Sequence, residues 1–263
     1  MNRGMMVRGL WDREMVALVL LAAVMPMALA WLWFGGAPAL GRLVLVLAVS
    51  GAWHLVFMLA RAQPPSFAGA LTALAVAMLA PTGLGLLQLI LGISFGVVMA
   101  ELAMGGWGRN VLNPATVALA FLGFGFPAAP WPDLPLPVAW AAIPAALMGA
   151  VAGVMPARAL LGAGLGLAGA HWAGLPVGPV LPAAGIVLVL LVADPVAGAA
   201  TRAGGWMNGL LYAGLILLFA TGWQGAAPVQ MAVSAALLAS LAAPLLDEIA
   251  IAAWLARRRR RHG

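Results

Sequence analysis

Apolar runs of near-membrane length, separated by short breaks rich in glycine, proline and arginine, repeat along the whole chain. Against the roughly 20 residues that a hydrocarbon core demands, segments fall near 15–34, 40–60, 67–80, 84–104 and 111–126, then near 138–155, 157–173, 180–193, 206–222 and 229–256. The pattern predicts an all-α polytopic membrane protein of about ten transmembrane helices, because backbone groups in lipid must be satisfied within the segment. The runs do not alternate polar with apolar, which argues against a barrel. The third and eighth segments are the shortest, and both end in a proline turn, LAVAMLAPTG and VLVLLVADPVAG. They hold matching places in two halves of five helices. An odd number per half predicts inverted repeats, one over about 15–126 and one over about 138–256, with a site between them. Residues 1–14 read as a cytoplasmic N-terminal segment, 15–256 as the membrane domain and 257–263 as a basic cytoplasmic tail. A signal peptide is the competing reading of the N-terminus, but its length and the want of a clear cleavage site favour a retained helix.

Composition agrees: 65% of residues are apolar, 8% are charged, and mean hydropathy is +1.07, too little polar surface for a soluble fold. The chain has no cysteine, which excludes disulfides, thiolate metal sites and cysteine nucleophiles, and three scattered histidines suggest no metal site. With both ends inside, Arg3, Arg8, Arg13, Arg61, Arg109, Arg158, Arg202 and Arg257 to Arg261 lie on the cytoplasmic side and Arg42 alone lies outside. That asymmetry orients the protein in a bacterial inner membrane. The terminal arginines suit anionic lipid rather than nucleic acid.

Two breaks carry polar groups that need a role. GGWGRNVLNPATVALAF (Gly105 to Phe121) brings Arg109, Asn110 and Asn113 to the entrance of a helix, and LVADPVAGAATRAGGW (Leu191 to Trp206) brings Asp194 to the end of another. On the predicted topology they share one side of the membrane. Asn110 and Asn113 stand three apart, so their amides point the same way if the first turn is formed, and Pro114 suits that turn. Each amide offers donors and an acceptor, a match to the edge of a flavin ring. Simple helix capping is the plainer reading. A carboxylate at a membrane helix end is costly unless paired or wetted. Asp194 has three open uses: to accept from a flavin nitrogen, to pair with Arg109 or Arg202, or to cap its own loop. Glu101, Asp247 and Glu248 are the remaining acids near membrane depth, with a cation or proton path as the sharper reading and solvation as the plainer one.

Three stretches, GISFGVVMAELAMGGWGRNVLNPATVALAFLGFGFP, VADPVAGAATRAGGWMNGLLYAGLILL and LLASLAAPLLDEIAIAAWLARRRRR, resemble in order the B-type membrane component of the sodium-pumping NADH:quinone oxidoreductase and the D-type component of the Rnf complex (the NqrB/RnfD family). The resemblance covers most of residues 66–261 and implies ten helices in two inverted halves. It also implies a non-covalent flavin, riboflavin or FMN, at the N-x-x-N-P motif that holds Asn110 and Asn113. Asp194 falls in the family's D-P-V motif. Asp247 matches the acid of A-P-L-x-D and Glu101 the acid ahead of paired glycines, positions tied to cation handling. One departure stands out. Family members carry an S-G-A-T threonine that holds FMN covalently, whereas this chain has no threonine from Val117 to Ala200, so no covalent FMN is expected. The chain is also short for the family. The resemblance implies a membrane subunit of an electron-transfer complex with other membrane and cytoplasmic subunits, not catalytic alone. An inverted-repeat solute channel and a cofactor-free scaffold are the competing readings.

Overall fold

The computed structural model describes residues 12–61 and 66–262. Arg3 and Arg8 lie outside them. With apolar side chains at most positions, the backbone's only partners are its own groups, and the regular structure among the described residues is entirely helical. The helices are α1 (Arg13–Arg61), α2 (Ala68–Leu79), α3 (Leu86–Phe95), α4 (Pro114–Gly125), α5 (Leu136–Val151), α6 (Ala157–Trp172), α7 (Leu181–Val187), α8 (Arg202–Gly222) and α9 (Pro228–His262). The first two expected segments form one element, α1, broken at Gly36, where φ is 58° and ψ is −147°. Only glycine takes that conformation without strain, so α1 is two arms rather than one rod.

Two helices finish in wider π-helical turns. α3 runs on through Gly96–Leu102 and α7 through Leu188–Val192. The Ala103 N–H donates to the Val98 carbonyl at 2.8 Å, and the Ala193 N–H to the Leu188 carbonyl at 2.8 Å. Such turns are rare and concentrate at functional sites. Here they lead to Glu101 and Asp194.

α2, α4, α7 and α9 pack on one another to form the inner group, with α1, α3, α5, α6 and α8 around them. α6 lies along α8, and α1 packs on both α2 and α5. Phe95 stacks on Phe121 at 4.7 Å between ring centres, locking α3 to α4. The Tyr212 hydroxyl, fully buried on α8, donates to the Ala184 carbonyl of α7 at 2.9 Å.

The bundle has two distinct ends. At one, Arg13 donates to the Trp107 carbonyl at 3.2 Å, and the loops leaving α3 and α7 meet. At the other, Arg42 donates to the carbonyls of Ala80 and Pro81 at 2.8 and 2.6 Å and so caps the C-terminus of α2. That contact explains the arginine standing apart from the rest: its charge answers the open carbonyls of a helix that stops at Leu79.

The outer surface is apolar, with Leu87, Val151 and Trp172 each at least 74% exposed. Arg13–Arg61, Arg202–Gly222 and Pro228–Arg259 are long and apolar enough to cross a membrane, and the shorter apolar helices complete the bundle. The protein is an all-α membrane protein.

A Cβ on Gly96 would stand 2.5 Å from the Pro114 carbonyl and 2.6 Å from the Ala118 Cβ, so the α3–α4 contact depends on this glycine. Gly96→Ala is expected to cost about 1–3 kcal/mol through overpacking, read as a lowered thermal midpoint in detergent. An unchanged midpoint would contradict the close approach.

Candidate functional site

The loop after α3 owes its path to glycine. Gly105, Gly106 and Gly108 have φ of 105°, 91° and 93°, a region in which side chains with a Cβ are strained. The turn tucks Trp107 inward, 6% exposed, and ends at Asn113, which lies just ahead of Pro114 at the first helical position. Asn113 caps α4: its Oδ1 accepts from the N–H groups of Ala115 at 2.9 Å and Thr116 at 3.3 Å. Its Nδ2 donates to Asp194 Oδ2 at 2.8 Å across 81 positions of sequence.

Asp194 follows the π turn that ends α7. Its Oδ1 accepts from Val196 N–H at 2.8 Å and Ala197 N–H at 3.4 Å, closing its own loop. Burial pushes its carboxyl above the ordinary range, and the donors from Val196, Asn113 and Ala197 pull the other way without overcoming it. The two side chains are 9% and 8% exposed. Satisfying a buried carboxylate in this way matters, because losing a charge-assisted partner costs about 1–3 kcal/mol or more.

The proton and lone-pair count leaves something over. Both acceptor positions of Asn113 Oδ1 are filled by backbone, and one Nδ2 hydrogen goes to Asp194. Among the described residues, the second Nδ2 hydrogen and one lone pair on Asp194 Oδ2 are uncommitted to protein. A donor and an acceptor thus stand side by side on the edge of a cleft. Its walls include Leu20, Val24, Leu71, Trp107, Met155 and Leu190. The cleft measures about 490 Å³ with its open mouth included, and its enclosed part is narrow.

The other expected residues stand differently. Asn110 is buried, but its amide is spent inside its own loop, accepting from Gly108 N–H at 3.1 Å and donating to the Leu112 carbonyl at 3.1 Å. The two asparagine amides do not share a helix face, because α4 starts at Pro114 rather than near 111. Arg109 is exposed, its guanidinium folded back toward Gly105. Among the described residues, neither Arg109 nor Arg202 forms an ion pair with Asp194. Of its three open uses, loop capping is realised, together with the bond to Asn113. Asp247 also holds a loop: it accepts from the N–H groups of Ala200 at 2.8 Å and Thr201 at 2.9 Å and from the Thr201 hydroxyl at 2.6 Å. Thr201 in turn caps α8 through Gly204 N–H at 2.9 Å. Asp247 therefore anchors, from α9, the loop that carries Asp194.

Glu101 is fully buried at the end of the π stretch of α3, 3.2 Å from the Nε2 of His54 on α1. Nothing in the sequence points to this histidine as a partner. The residues lie 47 positions apart, and the stretch that holds Glu101 does not include His54.

The sequence model of the family described as NQR2, RnfD, RnfE matches residues 7–160. Among individual relatives, the B-type component of the Na(+)-translocating NADH-quinone reductase of Klebsiella pneumoniae subsp. pneumoniae is 42% identical over 85 residues, 32% of this chain and 21% of the relative. Its counterpart in Yersinia pestis is 40% identical over 94 residues, 36% and 23% of the two chains. That of Neisseria meningitidis serogroup B is 41% identical over 83 residues, 32% and 20%. The matched stretch thus spans about a fifth of the length of these relatives.

Asn113→Asp tests the contact directly. It keeps the helix cap but sets a second carboxylate against Asp194, so one of the two is held protonated in the fold. A carboxyl raised in the folded state stabilises at low pH and loses that stability as pH rises through the raised value. The variant is expected to melt close to the parent in acid and well below it at neutral pH. A pH-independent difference would contradict the contact.

Proposed function

We propose a function from one established premise, that this chain belongs to the NQR2, RnfD, RnfE family: it is the membrane subunit of an Nqr- or Rnf-type electron-transfer complex and carries one non-covalent flavin in the cleft at Asn113 and Asp194. The observation that carries the reading is the buried Asn113–Asp194 pair with its spare donor and acceptor. An imide edge of a flavin offers a carbonyl beside an N–H, the complement of that pair. The apolar walls suit the faces of a flat aromatic ring. The free room is small, so a three-ring ligand enters only when wall side chains such as Leu71 and Met155 move aside.

The flavin supplies the redox chemistry when bound; the chain's part is position and charge. Asn113 and Asp194 orient the ring edge, Trp107 and the aliphatic walls exclude water, and Arg109, exposed on the loop that carries Asn113, adds positive charge on that side. Asn110 acts indirectly, by shaping the loop. Similar pairings recur in the two halves, with α3 on α4 matched by α8 on α9, which supports an inverted-repeat plan with the cleft between halves. The arginine-rich end of α9 sits against anionic lipid on the cytoplasmic face, other membrane and cytoplasmic subunits of the complex are its partners, and electron transfer is coupled to ion movement.

The protein purified from its native membrane is expected to be yellow and to release all of its flavin on acid precipitation, with the mass of riboflavin or FMN. Asn113→Leu should remove the colour from the protein that still assembles, at a lowered thermal midpoint because the α4 cap and the bond to Asp194 are lost. Colourless native protein, or a variant that keeps its flavin, would overturn the assignment and favour a channel or scaffold.

A further inference from the structure

The hydrogen bonds around His54 fix a proton count. Its Nδ1 lies 2.8 Å from the Ser50 carbonyl, which can only accept, so Nδ1 carries a hydrogen. Its Nε2 lies 3.2 Å from Glu101 Oε1. That contact needs one more proton, either on Nε2 facing a carboxylate or on Glu101 facing a bare nitrogen. With neither, two lone pairs face each other and the carboxylate stands buried without compensation, which is costly in a membrane interior. Glu101 Oε2 is buried with no hydrogen-bond partner among the described residues.

Few ionisable groups surround the pair. The sequences of α2 and α4, AGALTALAVAML and PATVALAFLGFG, contain no ionisable residue. Glu14 acts on His54 from the first arm of α1, and the charge of Glu101 is felt at Asp194. Gly69 on α2 makes the space: a Cβ there would lie 2.7 Å from the imidazole Cε1. Trp53 Nε1 donates to Ser94 Oγ at 2.7 Å and fixes α1 to α3 beside the pair. One side of His54 faces an open groove of about 670 Å³, mouth included, in which Ser50 and Ser66 are the polar groups beside Leu47, Leu55, Met58 and Ala70.

We propose that His54 and Glu101 form a buried proton-binding site that holds one dissociable proton and exchanges it with water through the groove beside Ser50 and Ser66. On loading, a hydronium in the groove gives its proton to the pair and leaves as water. On release the same bond breaks in reverse, and no electron moves. Within the pair the proton passes between Nε2 and Oε1 along the existing hydrogen bond. The pair shares no hydrogen bond with the cleft at Asn113, although the charge of Glu101 is felt at Asp194, and it does not depend on a flavin there.

The test uses the full chain in lipid nanodiscs, without added cofactor. Ring-nitrogen NMR of His54 and the infrared carboxyl band of Glu101 are followed through one pH series, assigned with His54→Gln and Glu101→Gln. The proposal expects both signals to change in a single shared step, Nδ1 to stay protonated throughout, and Glu101→Gln to lose one titrating proton per chain. Separate steps for the two residues, or no step across the range in which the fold survives, would overturn it. These wild-type readings stand even if a variant fails to fold. Filling the groove with Ala70→Leu should slow deuterium exchange of the pair's proton at least tenfold without moving the step. Unchanged exchange would overturn the proposed route.

Discussion

A carboxylate at the end of one interrupted helix, held by the amide that opens another, is the contact on which the candidate site depends. Asp194 is buried at the tip of α7, and the 2.8 Å bond from Asn113 at the tip of α4 is its link to the other half of the chain. Without it, one acid oxygen would face an apolar cleft unpaired, at a cost of several kcal/mol for an isolated buried ion. The bond therefore does two things at once. It satisfies a group the membrane environment penalises, and it fixes the distance between two loops that have no sequence proximity.

The scaffolding around that contact is built from interruptions. α3 and α7 each widen into a π turn, the first holding Glu101 and the second leading to Asp194, and each is followed by a loop with backbone donors aimed at side-chain oxygens. Asp247 pins the second loop from α9 and Thr201 caps the helix beyond it. Three acids thus serve backbone or side-chain donors in the fold: Asp194 and Asp247 close loops, and Glu101 completes the imidazole of His54. Positioning by hydrogen bonds to backbone is cheap in side chains and rigid in geometry, which suits a protein with so few polar residues to place.

Much of this is legible in the sequence because it is written in length and punctuation. The apolar runs locate the helices, Asn113 before Pro114 marks the start of α4, and the carboxylate before Pro195 marks the end of α7. Their meeting follows from the expected topology, and the structure brings them within hydrogen-bond reach. Other features are not legible. The break at Gly36 joins two expected segments into one element, because a glycine with positive φ leaves no mark on hydropathy. Asn110 has the spacing of a helix face, yet it precedes the first turn of α4. The π turns widen the helix without a compositional signal. His54 looks isolated along the chain because its partner lies on another helix.

The central claim is energetic coupling between Asn113 and Asp194, and a double-mutant cycle measures it most directly. Asn113→Ala, Asp194→Ala and the double variant, compared by reversible unfolding in the same detergent, should give a coupling of about 0.5–3 kcal/mol, as expected for residues in one hydrogen-bond network. Additive effects would mean that the two side chains do not meet, and the account built on their contact would be contradicted.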